Sequence, residues 1–247
     1  AGKPMVCWVA ERARAARNVD RVIVATDSQQ IIDAVQSSGL EAVLTDPNHT
    51  SGTDRVAEVA ATIPDAQIIV NVQGDEPMIS PETIERAVDV MTSENSKKNG
   101  AGIVTTWEPI ESLDDLLNPD LVKVVLDANE NAVYFSRSPI PYPRDAAKRH
   151  DSPEAAILTE PELLKLFRKH TGLYVYRRDV LLEFTKWPQA ELEKIEALEQ
   201  LRALERGVQI KVVEACTAST GVDTVEDLER VRALIETSHS PRTFHRA

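Results

Sequence analysis

Short apolar runs alternate with amphipathic segments along most of the chain. Val22-Ile23-Val24-Ala25-Thr26 is an almost continuous apolar run, the pattern of a strand covered on both faces. Asp27-Ser28 follows it with capping residues, and Ile31, Ile32 and Val35 recur at helical spacing up to Gly39. Ala42-Val43-Leu44 predicts a second short strand, and the polar loop Thr45 to Asp54 leads to a helix bearing Val56, Val59 and Ala60. Ile68-Ile69-Val70-Asn71-Val72 predicts a third strand. Ser80-Pro81-Glu82 then supplies a cap, a proline at the first helical position and an acid in the first turn. This βαβα order predicts an α/β fold with a mostly parallel, doubly wound sheet.

The second half is less regular. Ala101 to Thr106, Val122 to Leu126, Leu173 to Tyr176 and Gln209 to Val213 predict strands. Val133 to Pro143 carries prolines at 139, 141 and 143, which favours an extended arm over a central strand. Residues 145–160 read as an exposed loop, followed by a helix through Leu163, Leu164, Leu166 and Phe167. Ala190 to Arg206 reads as one helix stopped by Gly207, and Thr224 caps a last helix bearing Leu228, Val231 and Leu234. With no internal repeat and no Gly/Ser linker, residues 1–237 are expected to form a single α/β domain. Residues 133–170 are its proline-rich arm and 238–247 a polar tail.

Composition narrows the classes. Against 28 Lys and Arg stand 40 Asp and Glu, a formal net charge of −12, which argues against a general nucleic-acid binder. No apolar stretch approaches a membrane span. Cys7 and Cys216 are too few for a disulfide framework or a thiolate zinc site, and both are expected to be buried small hydrophobes of a cytoplasmic protein. G-x-G-x-x-G, G-x-x-x-x-G-K-[ST] and G-x-S-x-G are all absent, which excludes nicotinamide-binding Rossmann enzymes, P-loop NTPases and α/β-hydrolases. The histidines lack zinc spacing.

In an open α/β sheet, ligands bind beyond the carboxyl ends of the strands. Gln73-Gly74-Asp75-Glu76-Pro77 places an amide, a bare glycine and a carboxylate at such an end, where the carboxylate suits a hard cation such as Mg²⁺. An ordinary Asx turn would look the same. Gly221-Val222-Asp223-Thr224 offers a second acid, which a helix N-terminus also favours. The loop His49 to Arg55 offers hydroxyls, a glycine and a helix start. Arg137 and Arg144 flank the proline arm, and guanidinium groups there could fork onto a carboxylate. Glu196, Glu199 and Gln200, taken alone, read as the solvated face of a helix.

Taken in order, these segments resemble the 3-deoxy-manno-octulosonate (Kdo) cytidylyltransferase family, also called CMP-Kdo synthetase. The likeness runs through Gly2-Lys3-Pro4-Met5, Val24 to Asp27, His49 to Arg55, Asn71 to Pro77, Phe135-Ser136-Arg137, His170 to Tyr174, Leu198 to Arg202 and Gly221 to Arg230. It implies a homodimeric enzyme that couples CTP and Kdo into CMP-Kdo and pyrophosphate, with Mg²⁺ held by Asp75 and Asp223. It also implies that Gln73 and Gly74 lie against the nucleotide, with Thr26, Ser51, Thr53 and Arg55 near the cytosine and ribose. Arg137, Arg144, His170, Tyr174, Glu199 and Gln200 would line the sugar-acid pocket. Two alternatives stand beside this one: a non-catalytic dimerising module, and a cytidylyltransferase acting on 8-amino-Kdo or sialic acid. Members of the family begin with a strand and a triphosphate-binding loop, R-x-x-S-x-R-x-P-G-K-P-L. Here Gly2-Lys3-Pro4-Met5 runs straight into a helical pattern and matches a later Gly-Lys-Pro. That strand and loop are therefore expected upstream of Ala1, and the chain as written is expected to bind CTP weakly and turn over slowly or not at all.

Overall fold

The structure, a computed structural model, describes residues 2–93, 100–222 and 224–239. Helix α1 (Met5–Ala15) leads to β1 (Ile23–Thr26), α2 (Gln29–Ser37), β2 (Glu41–Leu44), α3 (Gly52–Ala61), β3 (Ile68–Asn71) and α4 (Pro81–Thr92). Then come β4 (Ile103–Pro109), α5 (Leu113–Leu117), β5 (Lys123–Leu126) and β6 (Ala132–Ser136). The arm after β6 holds α6 (Arg144–Arg149), α7 (Pro153–Thr159) and a 3₁₀ turn (Pro161–Leu166). The chain continues through β7 (Arg168–Arg177), α8 (Arg178–Phe184), α9 (Glu191–Glu196), α10 (Gln200–Glu205), β8 (Ile210–Glu214) and α11 (Val225–His239).

The α/β class is as expected, and the sheet is mixed in direction. Strands β1 and β2 pair in parallel, as do β4 and β8, whereas β7 runs antiparallel to β3, β4 and β5. The cause is the connection. A crossover helix forces the next strand parallel, but β7 is reached through the long 137–167 arm and enters from the opposite end. Its Tyr174–Arg177 half lies between β3 and β4, and a register shift opposite Thr105/Thr106 sets Gly172 and Leu173 outside the ladder.

Side-chain alternation on these strands builds a core on each face. Ile103, Tyr176, Ile210 and Val212 pack with Ala57 and Ala60 of α3, Leu181 and Phe184 of α8, and Leu201 of α10. Val104, Val175, Leu173 and Val213 pack on the other face with Val9 and Ala13 of α1 and Ile84, Ala87 and Val88 of α4. Strands β1 and β2 form a separate two-stranded sheet. Between β1 and β3 lies an apolar cleft of about 650 Å³, lined by Val22, Val24, Val56, Ile68 and Val70 among others and reaching Gln73 and Gly74 at one end.

Three local expectations change. The 190–206 helix is two helices, because Ala197 adopts a left-handed backbone (φ 53°) that ends α9 before α10 begins. Residues 145–160 are two short helices, α6 burying Ala146 and Ala147 and α7 burying Ala156 and Ile157, and the segment after them is a 3₁₀ turn. Cys7 is buried as expected, but Cys216 is exposed, because it follows β8 on a loop over the sheet edge.

Candidate functional site

The site forms where β1, β3 and β7 meet the start of α3. Thr26 ends β1, buried, and its hydroxyl accepts the Ser28 N–H at 3.2 Å. Ser51 caps α3: its Oγ accepts from Asp54 N at 3.2 Å and donates to Asp54 Oδ2 at 3.1 Å. Arg55 spends its guanidinium within the scaffold, on Asp27 Oδ2 at 2.9 Å and on the Thr45 hydroxyl, so it ties the ends of β1 and β2 together. Gln73 lies between the start of α3 and the β7 irregularity. A Cβ on Gly52 would stand 3.7 Å from its Oε1, and one on Gly172 would stand 3.4 Å from its Cγ. Gly74 is exposed, with open space where a Cβ would be.

Thr53 joins the two groups of residues that the sequence singled out. It is buried, and its Oγ1 donates to Glu199 Oε2 at 2.7 Å. From there the ring residues of β7 run in sequence. Tyr176 stacks on Tyr174 with centroids 5.8 Å apart, and Tyr174 meets His170 at 5.4 Å. Burial raises the Tyr174 phenol well above its usual value, and the neighbouring Tyr176 and Glu199 add to this. Burial also pushes the His170 imidazolium down to about 3. Thr105 Oγ1 donates to Leu173 O at 2.8 Å and lies 2.9 Å from His170 Nε2.

The two arginines differ in their surroundings. Arg137 donates to three backbone carbonyls, Glu196 O at 2.7 Å, Pro119 O at 2.9 Å and Ala197 O at 3.5 Å, and so braces the end of α9. Arg144 starts α6, exposed on the arm, and the structure does not bring it to the ring residues. Gln200 is buried at the first position of α10.

Four further residues bear on the site, though the sequence assigned none of them a role there. Glu196 accepts from Ser136 Oγ at 2.7 Å and Arg137 N at 2.9 Å, so it belongs to the interior side of α9. Lys123 is fully buried and donates to Asn118 O at 2.9 Å; burial lowers its ammonium pKa, helped by Arg137. Glu108 is buried at the end of β4 and pairs with Lys169 at 2.8 Å. Asn71, 3% exposed at the end of β3, lines the cleft, and its Nδ2 has no partner among the described residues. Only Asn71 carried a signal: a polar side chain ending an otherwise apolar strand.

The Asp75 carboxylate is half-buried and makes no hydrogen bond or ion pair among the described residues, while desolvation raises the neighbouring Glu76. An unspent carboxylate at a strand end suits a hard divalent cation. Asp223 lies outside the described residues. Among the described residues, no cluster of three or more His, Cys, Asp or Glu could hold a metal by itself.

An open α/β sheet with a capped helix start and an unspent carboxylate at a strand's carboxyl end, beside a cleft that reaches Gln73 and Gly74, has the layout of a nucleotide-handling transferase. The cytidylyltransferase family model matches residues 1–210, and the chain belongs to that family. A 3-deoxy-manno-octulosonate cytidylyltransferase of Pseudomonas fluorescens is 47% identical over 96% of this chain and 89% of its own length. One of Neisseria meningitidis is 46% identical with the same coverage. The solved structure of CMP:2-keto-3-deoxy-manno-octonic acid synthetase complexed with CTP superposes with a TM-score of 0.83 at 40% identity, covering 96% of this chain and 90% of that one.

Proposed function

We propose that this protein transfers the cytidylyl group of CTP to Kdo, giving CMP-Kdo and pyrophosphate. The observation that carries the proposal is the near-full-length likeness to Kdo cytidylyltransferases. The site's own layout supports it, because Thr53 and Glu199 link the α3 start to the β7 ring residues. In the reaction, the anomeric hydroxyl oxygen of Kdo attacks the α-phosphorus of CTP. The bond to the bridging oxygen of the β-phosphate breaks, pyrophosphate leaves, and the hydroxyl proton passes to solvent.

The chain's residues serve this by holding both partners in line. The α3 N-terminus, capped by Ser51, presents backbone donors beside Thr26 and Thr53 to the nucleotide, with Gln73 and Gly74 against it. His170, held neutral by burial, joins Tyr174, Glu199 and Gln200 on the sugar side. Arg137 serves that side as a brace of α9, and Arg144 belongs to its outer rim. Asp75, with Asp223, would hold Mg²⁺, which when bound neutralises charge developing on the phosphates and lowers the pKa of the attacking hydroxyl.

Two further parts of the proposal concern the whole molecule. Two copies associate through the arm, where Tyr142, Leu158 and Leu166 are exposed apolar side chains, together with Val133 of the adjoining β6. The enzyme works in the cytoplasm. Its unpaired Cys7 and Cys216 suit a reducing compartment, and no helix of the described residues is long and apolar enough to cross a membrane. The chemical test is product analysis with CTP and three acceptors, Kdo, 8-amino-Kdo and a sialic acid. Preferential formation of CMP-Kdo is expected; preference for another acceptor overturns the assignment of the sugar.

A further inference from the structure

The segment that follows β8 has no regular structure, yet it is fastened along its length. Arg86 donates to Glu214 O at 2.9 Å, Ala215 N to Trp107 O at 2.9 Å, and Cys216 N to Thr83 Oγ1 at 2.9 Å. Val222 N reaches Asp75 O at 2.9 Å. Between these ties, Ser219 uses both of its donors on carboxylates from different elements. Its N–H donates to Glu108 Oε1 at 2.8 Å, and its hydroxyl donates to Glu76 Oε2. Glu108 is buried and its other oxygen is held by Lys169 Nζ at 2.8 Å. The hub thus connects β4 and β7 to the turn that carries Asp75.

Two carboxylates converging on one serine are an expensive arrangement for a loop that only needs covering. Buried carboxylates repel each other unless donors and a cation stand between them, and here Ser219 and Lys169 supply both. What the arrangement fixes is the Gln73–Glu76 turn, held from Glu76 through its side chain and from Asp75 through its carbonyl oxygen. The Asp75 carboxylate, like the Gln73 amide, makes no hydrogen bond or ion pair among the described residues, and it is the only charged group of that turn left so.

We propose that Ser219, backed by Glu108 and Lys169, is a positioning residue for Asp75, orienting its carboxylate toward a divalent cation by pinning the turn that carries it. This rests on Asp75 facing a cation, as put forward above. Outer partners of this kind tune metal affinity through orientation and leave the ligand itself unchanged.

The test measures Mn²⁺ binding in the presence of CTP by electron paramagnetic resonance, together with hydrogen exchange of the 215–222 amides. Both readouts are independent of turnover. Ser219→Ala is expected to weaken Mn²⁺ binding by about tenfold and to speed exchange at Val222, and Ser219→Thr, which keeps the hydroxyl, is expected to restore both. Mn²⁺ affinity within twofold of the parent in a folded Ser219→Ala protein overturns the positioning role while leaving Asp75 as a ligand. A parent protein that binds no Mn²⁺ overturns the cation-facing role of Asp75 and the positioning role together. Unchanged exchange at Val222 overturns the pinning itself.

Discussion

Thr53 and Glu199 are 146 residues apart in sequence and 2.7 Å apart at their side-chain oxygens. The first sits in the opening turn of α3, on the side proposed for the nucleotide; the second precedes α10, on the side proposed for the sugar. Their hydrogen bond makes the two halves of the site a single unit. Replacing Thr53 with Val leaves the Glu199 carboxylate without this buried donor, at a cost of about 1–3 kcal/mol. Apparent KM is expected to rise for both substrates in Thr53→Val and to be restored in Thr53→Ser. An effect confined to one substrate would show that the bond does not couple the two sides. Chemical denaturation gives the stability difference.

His170 sets a pH dependence whose sign follows from burial. Its folded-state pKa is pushed to about 3, from an ordinary value of 6.5. Between those values the unfolded chain binds a proton that the folded chain refuses, so stability is complete above the unfolded pKa and declines as pH falls toward 3. One proton corresponds to at most about 1.4 kcal/mol per pH unit. His170→Gln is expected to flatten the acid side of a plot of Tm against pH. The parent's rate should show no ionisation of this imidazole between pH 5 and 8. An unchanged Tm slope in the variant would contradict the buried, neutral state.

Asn71 points to a trade between stability and binding. Its Nδ2 is buried without a partner among the described residues and lines the cleft that ends at Gln73 and Gly74. An unsatisfied buried donor costs about 1–3 kcal/mol. Asn71→Leu is therefore expected to hold or raise Tm in the free protein and to weaken CTP binding measured by calorimetry. A fall in Tm with CTP affinity unchanged would show that the amide is structural.

Among the described residues, the paired strands β1 and β2 form a sheet separate from the six-stranded one, with the cleft between them and with α1 and α3 packed on β1. A two-stranded unit of this kind is marginal alone. Its amides are expected to exchange faster than those of β4 and β7, at denaturant concentrations that leave the main sheet protected. The cleft between β1 and β3 should bind a hydrophobic dye in the native state. Equal protection across both sheets would mean that they open as one.

Much of this was legible in the sequence, and the exceptions have physical causes. The strands carrying Ile68 to Asn71 and Ile210 to Val213 announced themselves as apolar runs, because their two faces pack into different cores, and Ile23 to Thr26 did so while bordering the cleft. The Ser51, Ser80 and Thr224 caps stand where their residue types place them. The direction of β7 was hidden, since nothing local in Leu173 to Tyr176 records that the chain arrives through a 137–167 arm. Glu196 and Glu199 read as solvated because periodicity assumes one continuous helix, and the left-handed Ala197 breaks it. Arg137 shows the converse. Its residue type suggested a carboxylate partner, while the fold turns it onto three carbonyls.

The central claim is tested most directly by pyrophosphate release from CTP and Mg²⁺, with and without Kdo, in the parent and in Asp75→Asn. The account predicts release that depends on Kdo and on Mg²⁺, and that is lost in the variant while its Tm stays near the parent's. Release indifferent to Kdo, or an Asp75→Asn protein that works as well as the parent, would contradict it.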